Sequence, residues 1–328
     1  MRAVICRAWG AIDALTLQDV DSPTPGSGQV VIDVKATGVN YADSIMVAGR
    51  YQTKPPLPFS PGLETAGVVA RCGDGVTRYR PGDRVMAILA SGGFAEQAVA
   101  DDVETFAIPD SMPFDDAGAF PIAYLSSHVA IRWQARLEAG ETMLVLGAAG
   151  GVGLTAVEIG KAMGARVIAA ASTAEKLAVA RERGADAVVN YAEEKLTDRV
   201  MALTDGKGAD VCFDPVGGDL FDAALSSLGW GGRILLIGFV GGVPNIPANR
   251  LLVKHRAALG SSLRYFRWHA PDKLQRSVEE LLRWYEGGQL QPCVTHRLPL
   301  ERSADAIRLL TDRKAHGKIV VMPELRAG

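Results

Sequence analysis

Apolar and polar residues alternate through "VVIDVKATGV" (30–39), the period of a strand with one face turned to a core, and "TAGVVARCG" and "DRVMAIL" follow in the same manner. The stretches "PTPGSG", "SPG" and "PGD" punctuate these runs with turn residues. The first 110 residues therefore predict an antiparallel, barrel-like unit. From about 120 the rhythm changes to strand, helix, strand. "TMLVLG" (142–147) is a short apolar run, Val152, Ala156, Ile159 and Met163 recur at helical spacing, "ARVIAAA" (165–171) returns as a strand, and a helix is expected over 174–183. "DAVVN" (186–190), "DVCFD" (210–214), "RILLIGF" (233–239) and "RAALGSS" (256–262) extend the series into a doubly wound parallel sheet.

After about 265 come two amphipathic helices, one through Leu274, Val278, Leu281, Leu282 and Tyr285, the other through Ala304, Ile307 and Leu310, then a last strand, "KIVVM" (318–322). Both helices are expected to fold back onto the first domain. A chain of 328 residues exceeds the ~250–300 over which one hydrophobic core usually keeps growing, so two domains are expected. The partition this predicts is a first domain over 1–120, an inserted parallel-sheet domain over 121–264, and a return to the first over 265–328.

Composition narrows the function classes. A formal net charge of −2 gives no field to draw in nucleic acid or an anionic membrane. Cys6, Cys72, Cys212 and Cys293 form no C-x-x-C, which argues against a disulfide framework or a cysteine-rich zinc lobe and suits a reducing, cytoplasmic setting. The N-terminal apolar run is too short for a signal peptide, and no stretch is apolar enough to span a bilayer. The glycines gather at 147–153, 217–218, 229–232 and 238–242, where a chain turns tightly or lets a ligand approach its backbone.

In the first of these clusters, "VLGAAGGVGL", Gly147, Ala149 and Gly153 form G-x-A-x-x-x-G, close to the dinucleotide fingerprint but one residue longer, with Gly150 and Gly151 adding room. A tight turn between packed elements would use the same residues. Its place in a strand-loop-helix-strand unit points instead to a pyrophosphate lying over the helix N-terminus. The next strand ends in "AAAS" (169–172), without the carboxylate that would bond a free ribose hydroxyl. Ser172, Lys176 and Tyr191 stand ready to surround a 2′-phosphate there, which favours NADPH over NADH. Ser172 is also a candidate helix N-cap, with Glu175 closing a capping box and Lys176 solvated.

The stretches "NYADSIMVAGRYQ", "PFSPGLETAGVV", "PGDRV", "GAAGGVG", "FDPVGG" and "GKIVV" occur in this order. With them the chain resembles, over essentially its whole length, the medium-chain dehydrogenase/reductase superfamily, and within it the zinc-independent quinone oxidoreductase (zeta-crystallin-like) branch. The resemblance implies an α/β protein with a GroES-like β-rich catalytic domain, an inserted Rossmann doubly wound parallel sheet domain, NADPH in the cleft between them, and a homodimer or homotetramer. Where zinc-dependent relatives have a cysteine and a histidine as ligands, this chain has Asn40 and Leu63; Glu64 alone remains, so no metal is expected.

Carried over by the same resemblance, Asn40, Asp43 and Tyr51 line the nicotinamide and substrate side of the cleft, and Ser126 bonds the carboxamide. Ala149, Gly150, Gly151, Val152 and Gly153 form the pyrophosphate loop, and Ser172, Lys176 and Tyr191 the phosphate pocket. Phe239 borders the nicotinamide, and Lys318 lies near the cofactor unless, as a lysine leading an edge strand, it is solvated.

The expected chemistry is hydride transfer to a quinone or to the β-carbon of an α,β-unsaturated carbonyl, with Tyr51 or Asn40 stabilising the acceptor oxygen and Tyr51 or water supplying a proton. Tyr51 has an alternative role capping the proline-rich "KPPLPF", and Asn40 and Asp43 as turn or helix-cap residues. His128, His255, His269, His296 and His316 are dispersed without ligand spacing, and Asp214 is expected to brace the turn after its strand. A 2-enoyl thioester reductase is an adjacent reading, for which Arg50 and "RYFRWH" (264–269) would meet coenzyme A phosphates, though a solvated basic segment accounts for them as well. An RNA-binding or structural crystallin-like protein is a rival of another class; the charge balance argues against RNA.

Overall fold

The computed structural model describes residues 1–326. Two compact units divide it: Met1–Ile122 with the chain from Pro292 onward, and Ala123–Gln291. The return to the first unit thus begins at Pro292 and not at 265. Residues 265–291 stay with the parallel-sheet unit because the helix Pro271–Glu286 finds its partners there. It buries Leu274, Ser277, Val278 and Leu281, the Ser277 hydroxyl accepts from the Trp133 indole N–H at 2.9 Å, and Glu280 meets His128 Nε2 at 2.9 Å.

The first unit is built on a seven-stranded sheet. Its path runs Val294–Pro299, Lys318–Met322, Gln29–Val39, Glu64–Cys72, Arg84–Ile88 and Thr105–Ala107, with Gln97–Asp101 also pairing Gln29–Val39. All pairings are antiparallel except that of the first two strands. The strand Gln29–Val39 is long because it serves three neighbours, and its Val30, Ile32 and Val34 are buried in one cluster with Val69, Val85 and Ala98. The Lys318–Met322 strand lies inside the sheet, so Lys318 does not lead an edge.

In the second unit six parallel strands take the order Ala187–Asn190, Arg166–Ala171, Thr142–Leu146, Ala209–Asp214, Leu228–Leu236, Ala257–Gly260. Numbered along this unit the order is 3-2-1-4-5-6, the dinucleotide-binding arrangement whose direction reverses beside the first strand. Met143, Leu144, Val145 and Leu146 are fully buried, as expected for a parallel strand covered on both faces. The fifth strand stops at Leu236, short of the expected Phe239. The segment "RYFRWH" lies in the helix Leu263–His269 and is solvated in part: Arg267 is buried, whereas Tyr265, Trp268 and His269 are exposed. Among the described residues no helix is long and apolar enough to cross a membrane.

Candidate active site

Four residues of the first unit are drawn together by strand register. Pairing of Ile319 with Val39 and of Val320 with Gly38 sets Lys318 level with Asn40, the residue after the long strand. Pairing of Ala36 with Ala66 carries Glu64 to the level of Gly38. Only glycine is possible at position 38, since a Cβ there would lie 2.1 Å from Glu64 Oε1 and 2.5 Å from the Gly118 carbonyl.

Lys318 Nζ donates to Glu64 Oε1 and to Asn40 Oδ1, both at 2.8 Å, and to the Val39 carbonyl at 3.2 Å. Asn40 Nδ2 donates to Glu64 Oε1 at 2.7 Å, and Glu64 Oε2 accepts the Ile122 N–H at 2.7 Å. Glu64 is wholly buried and Lys318 is 5% exposed, so this is a desolvated ion pair. The solvated alternative for Lys318 is thereby removed.

Asn40 has extended backbone and precedes the helix Tyr41–Val47. Asp43, in the first turn, accepts the Asn40 N–H at 2.7 Å on one carboxyl oxygen and the Gly62 N–H at 3.2 Å on the other. These two residues therefore do serve as helix-start residues, and Asp43 is fully buried. Burial pushes its carboxyl up to about 7, against the pull of the Asn40 N–H and of the Lys318 charge. Tyr51 is half-buried against a cluster of Cys6, Met46, Val47, Phe59 and Leu63.

In the second unit the loop after the first strand is shaped by backbone proximity. Gly147 has φ +55°, a left-handed conformation that favours glycine. A Cβ on Gly153 would fall 2.2 Å from the Gly147 carbonyl oxygen, so the helix Gly151–Ala162 packs on its strand only with glycine there. At Gly150 the corresponding approach is 3.3 Å. Ala149 is buried, Gly150 is exposed, and Gly151 and Val152 open the helix half-exposed, with the free N–H groups of its first turn.

Ser126, on the helix Pro121–His128, is half-buried. Its neighbour Ser127, which sequence reading passed over, is the one that reaches the loop: its hydroxyl donates to the Val152 carbonyl at 3.0 Å and pairs with Thr155 Oγ1 at 2.8 Å.

Ser172 directly follows the strand Arg166–Ala171. The helix cap is not Ser172 but Thr173, whose Oγ1 accepts the Lys176 N–H at 3.3 Å, and the helix begins at Ala174. Moving the cap by one residue leaves the Ser172 hydroxyl outside it. The parallel register of Asn190 with Ala171 brings Tyr191 beside Ser172, and the Tyr191 N–H donates to the Ala171 carbonyl at 3.1 Å. Ser172, Lys176 and Tyr191 thus share the same sheet end as the Gly147 loop.

Two further glycine clusters interlock at that end. The Gly218 N–H donates to the Gly242 carbonyl and the Gly241 N–H to the Val216 carbonyl, both at 2.8 Å. A Cβ on Gly217 or Gly218 would lie 2.5 or 2.4 Å from backbone oxygens of 242 and 241. Phe239 sits in this second loop, about half-exposed. Asp214 braces the first: its Oδ1 accepts the Val216 and Gly217 N–H groups at 2.8 Å each. Burial raises its carboxyl pKa, against those two hydrogen bonds.

Glu158 is a buried residue of the helix Gly151–Ala162 that sequence reading did not single out. It is a carboxylate in the buried part of an apolar helix, which was the available signal. Tyr124 donates its hydroxyl to Glu158 Oε2 at 2.6 Å, the Gln291 N–H reaches Oε1 at 3.3 Å, and Arg183 lies 3.6 Å away. Burial raises the carboxyl to about 7 despite these partners.

A parallel sheet in dinucleotide order with a glycine-shaped loop at its switch point defines a nucleotide-binding protein of the dehydrogenase type. Residues 26–110 match the family model described as alcohol dehydrogenase GroES-like domain, and 151–285 the one described as zinc-binding dehydrogenase. The quinone oxidoreductase-like protein 2 homolog of Nematostella vectensis is 38% identical over 98% of this chain and 88% of its own. A mycobacterial protein solved in complex with NADPH superposes with TM-score 0.92 at 32% identity, covering 98% of this chain and all of its own. Escherichia coli quinone oxidoreductase complexed with NADPH gives TM-score 0.92 at 27% identity with the same coverage. The chain belongs to the medium-chain dehydrogenase/reductase superfamily, in its zeta-crystallin-like quinone oxidoreductase branch.

Because one matching model is described as zinc-binding, the donor set matters. Leu63 is packed in an apolar cluster, and Glu64 already accepts from an ammonium, an amide and a backbone N–H. Among the described residues no group of three or more His, Cys, Asp or Glu is disposed to hold a metal. These residues do not fit a divalent cation.

Proposed function

We propose that this protein is an NADPH-dependent quinone oxidoreductase that reduces quinones or α,β-unsaturated carbonyls by zinc-free hydride transfer. What supports the reading is that a loop closed by Gly153 and the residues Ser172, Lys176 and Tyr191 follow neighbouring strands at one end of the parallel sheet. The Gly151–Gly153 N–H groups bind the pyrophosphate. Lys176 supplies charge to a 2′-phosphate, and the Ser172 and Tyr191 hydroxyls donate hydrogen bonds to it. Phe239 and Ser126 bound the nicotinamide end. When bound, NADPH supplies the hydride.

The chain's own part in the chemistry falls to the first unit. Asn40 donates a hydrogen bond to the acceptor oxygen as negative charge gathers on it, and Tyr51 shields or protonates it. Asp43 holds the Asn40 backbone. Where a zinc enzyme would use a Lewis acid, this site uses hydrogen-bond donors, so activated acceptors suit it better than simple ketones.

The accompanying reading is a cytoplasmic homodimer or homotetramer. Cys6, Cys72, Cys212 and Cys293 are all free thiols, which fits a reducing compartment. The parallel sheet ends in Ala257–Gly260, whose outer edge no described strand pairs. Light scattering tests the assembly.

The deciding experiment follows NADPH absorbance with 1,4-benzoquinone, 9,10-phenanthrenequinone, an enone and crotonyl-CoA, with metal analysis of the same preparation. Oxidation with a quinone or enone, undiminished by chelator, is expected. Crotonyl-CoA as the preferred acceptor would move the assignment to enoyl thioester reduction, and no oxidation with any acceptor would overturn it.

A further inference from the structure

Asn40 carries one carbonyl oxygen and one NH2 group on a side chain that in most surroundings can turn over at little cost. Here it cannot. An ammonium only donates and an ionised carboxylate only accepts. With Lys318 Nζ 2.8 Å from Oδ1 and Glu64 Oε1 2.7 Å from Nδ2, only one orientation is bonded. Turning the amide would set NH2 against NH3⁺ and carbonyl against carboxylate.

Neither charged partner is free to follow a turned amide. The three hydrogens of Lys318 are matched by Val39 O, Asn40 Oδ1 and Glu64 Oε1. Glu64 is tied by its second oxygen to the Ile122 N–H, and its first oxygen fills the space where a Cβ of residue 38 would be. The Asn40 backbone is tied in turn to Asp43. One polar hydrogen is left over: the second on Nδ2, which has only the Gly38 carbonyl, at 3.5 Å.

We propose that Lys318 and Glu64 are positioning residues that lock the Asn40 amide, so that it meets a reactant as a donor only and selects a carbonyl or quinone oxygen. Lys318 thus acts through Asn40 and not by touching the reactant. The consequence for turnover rests on the functional reading above; the lock itself does not.

The test uses the full chain with Lys318→Met/Glu64→Leu, which removes both charges together and leaves no buried ion uncompensated, as the single change Lys318→Met would. In amide NMR spectra of the unliganded protein the Asn40 NH2 pair is identified by its loss in Asn40→Ala. In the paired variant that signal is expected to shift and to exchange with water at least about tenfold faster, as a freed amide does. An unchanged position and exchange rate overturns the proposal.

Turnover of NADPH with 9,10-phenanthrenequinone is then expected to fall tenfold or more in the paired variant, by analogy with loss of an oxyanion donor, while NADPH affinity by fluorescence stays within about twofold. Adding Asn40→Ala should lower it no further. An additive loss, or wild-type turnover in the paired variant beside a slow Asn40→Ala, also overturns the proposal. If Asn40→Ala leaves turnover intact while the NMR change occurs, the lock stands and the assignment of Asn40 to the reaction falls. Should the paired variant not fold, Lys318→Arg with the same two readouts keeps the question open to refutation: a moved Asn40 signal supports the lock, an unmoved one with normal turnover opposes it.

Discussion

Lys318 Nζ and Glu64 Oε1 meet at 2.8 Å in a place where Glu64 is wholly shielded from water, and Asn40 bridges them with both ends of its amide. Such a pair is strong against the loss of one member and nearly indifferent to the loss of both. Leaving one uncompensated buried charge costs about 3–5 kcal/mol, whereas replacing both ions by apolar groups of similar size is often neutral. Lys318→Met should therefore lower unfolding free energy by that amount in urea titrations, and Lys318→Met/Glu64→Leu should recover most of it. Equal losses in the two variants would mean that packing, not charge, holds this site together.

Gly153 and Gly150 make a paired test of the loop. A methyl at 153 would sit 2.2 Å from the Gly147 carbonyl, which is backbone and cannot swing away, whereas at 150 the approach is 3.3 Å. Gly153→Ala should cost about 1–3 kcal/mol, as overpacking does, and abolish measurable NADPH binding. Gly150→Ala should melt close to the parent. Similar melting temperatures for both would contradict the packing described for this helix.

With Thr173 as the helix cap, Ser172 is not needed for helix stability and its hydroxyl can serve a phosphate. Ser172→Ala/Lys176→Ala should weaken NADPH by about 100-fold or more, since two contacts to a charged phosphate are lost at about 1.5–3 kcal/mol each, and leave NADH within a factor of a few. Fluorescence titration with both coenzymes measures the gap. A parent that binds the two equally would remove the basis for a phosphate pocket here.

What could be read ahead of the structure was whatever is encoded at short range. The Gly147–Gly153 loop was legible because its glycine spacing is itself the constraint, and the strand and helix series because each element carries its own period. Lys318 was ambiguous because its burial depends on a register with Val39, far away along the chain. The stripe Leu274, Val278, Leu281 announced a helix with a partner without saying in which unit, so residues 265–291 were expected in the wrong one. At "STAE" two adjacent hydroxyls competed for one cap, and the choice of Thr173 over Ser172 turns on backbone geometry that side-chain type does not carry. Glu158 and Ser127 escaped notice because a polar residue in a mostly apolar helix gives no hint of its partner.

Glu158 and Asp43 together set an unusual dependence of stability on pH. Burial raises both carboxyls to about 7, well above their values in an unfolded chain, near 4.5 and 3.8. Between about 4 and 7 the folded protein thus keeps protons that the unfolded chain has released. Stability from these groups is full below their unfolded pKa values and is lost as pH rises through 7. Glu280, held low by the His128 hydrogen bond, works the other way: its contribution is present above its unfolded pKa and is lost as pH falls through its folded one. The stability maximum is accordingly expected on the acid side of neutrality. Each retained proton contributes a slope of at most about 1.4 kcal/mol per pH unit. Urea unfolding at pH 5, 6, 7 and 8 should show falling stability up to pH 7 and a plateau above it. Glu158→Gln, which keeps an acceptor for Tyr124 and carries no titrating proton, should flatten that slope by up to one proton's worth. A parent profile already flat from pH 5 to 8 would show that both carboxyls are ionised in the folded protein across that range.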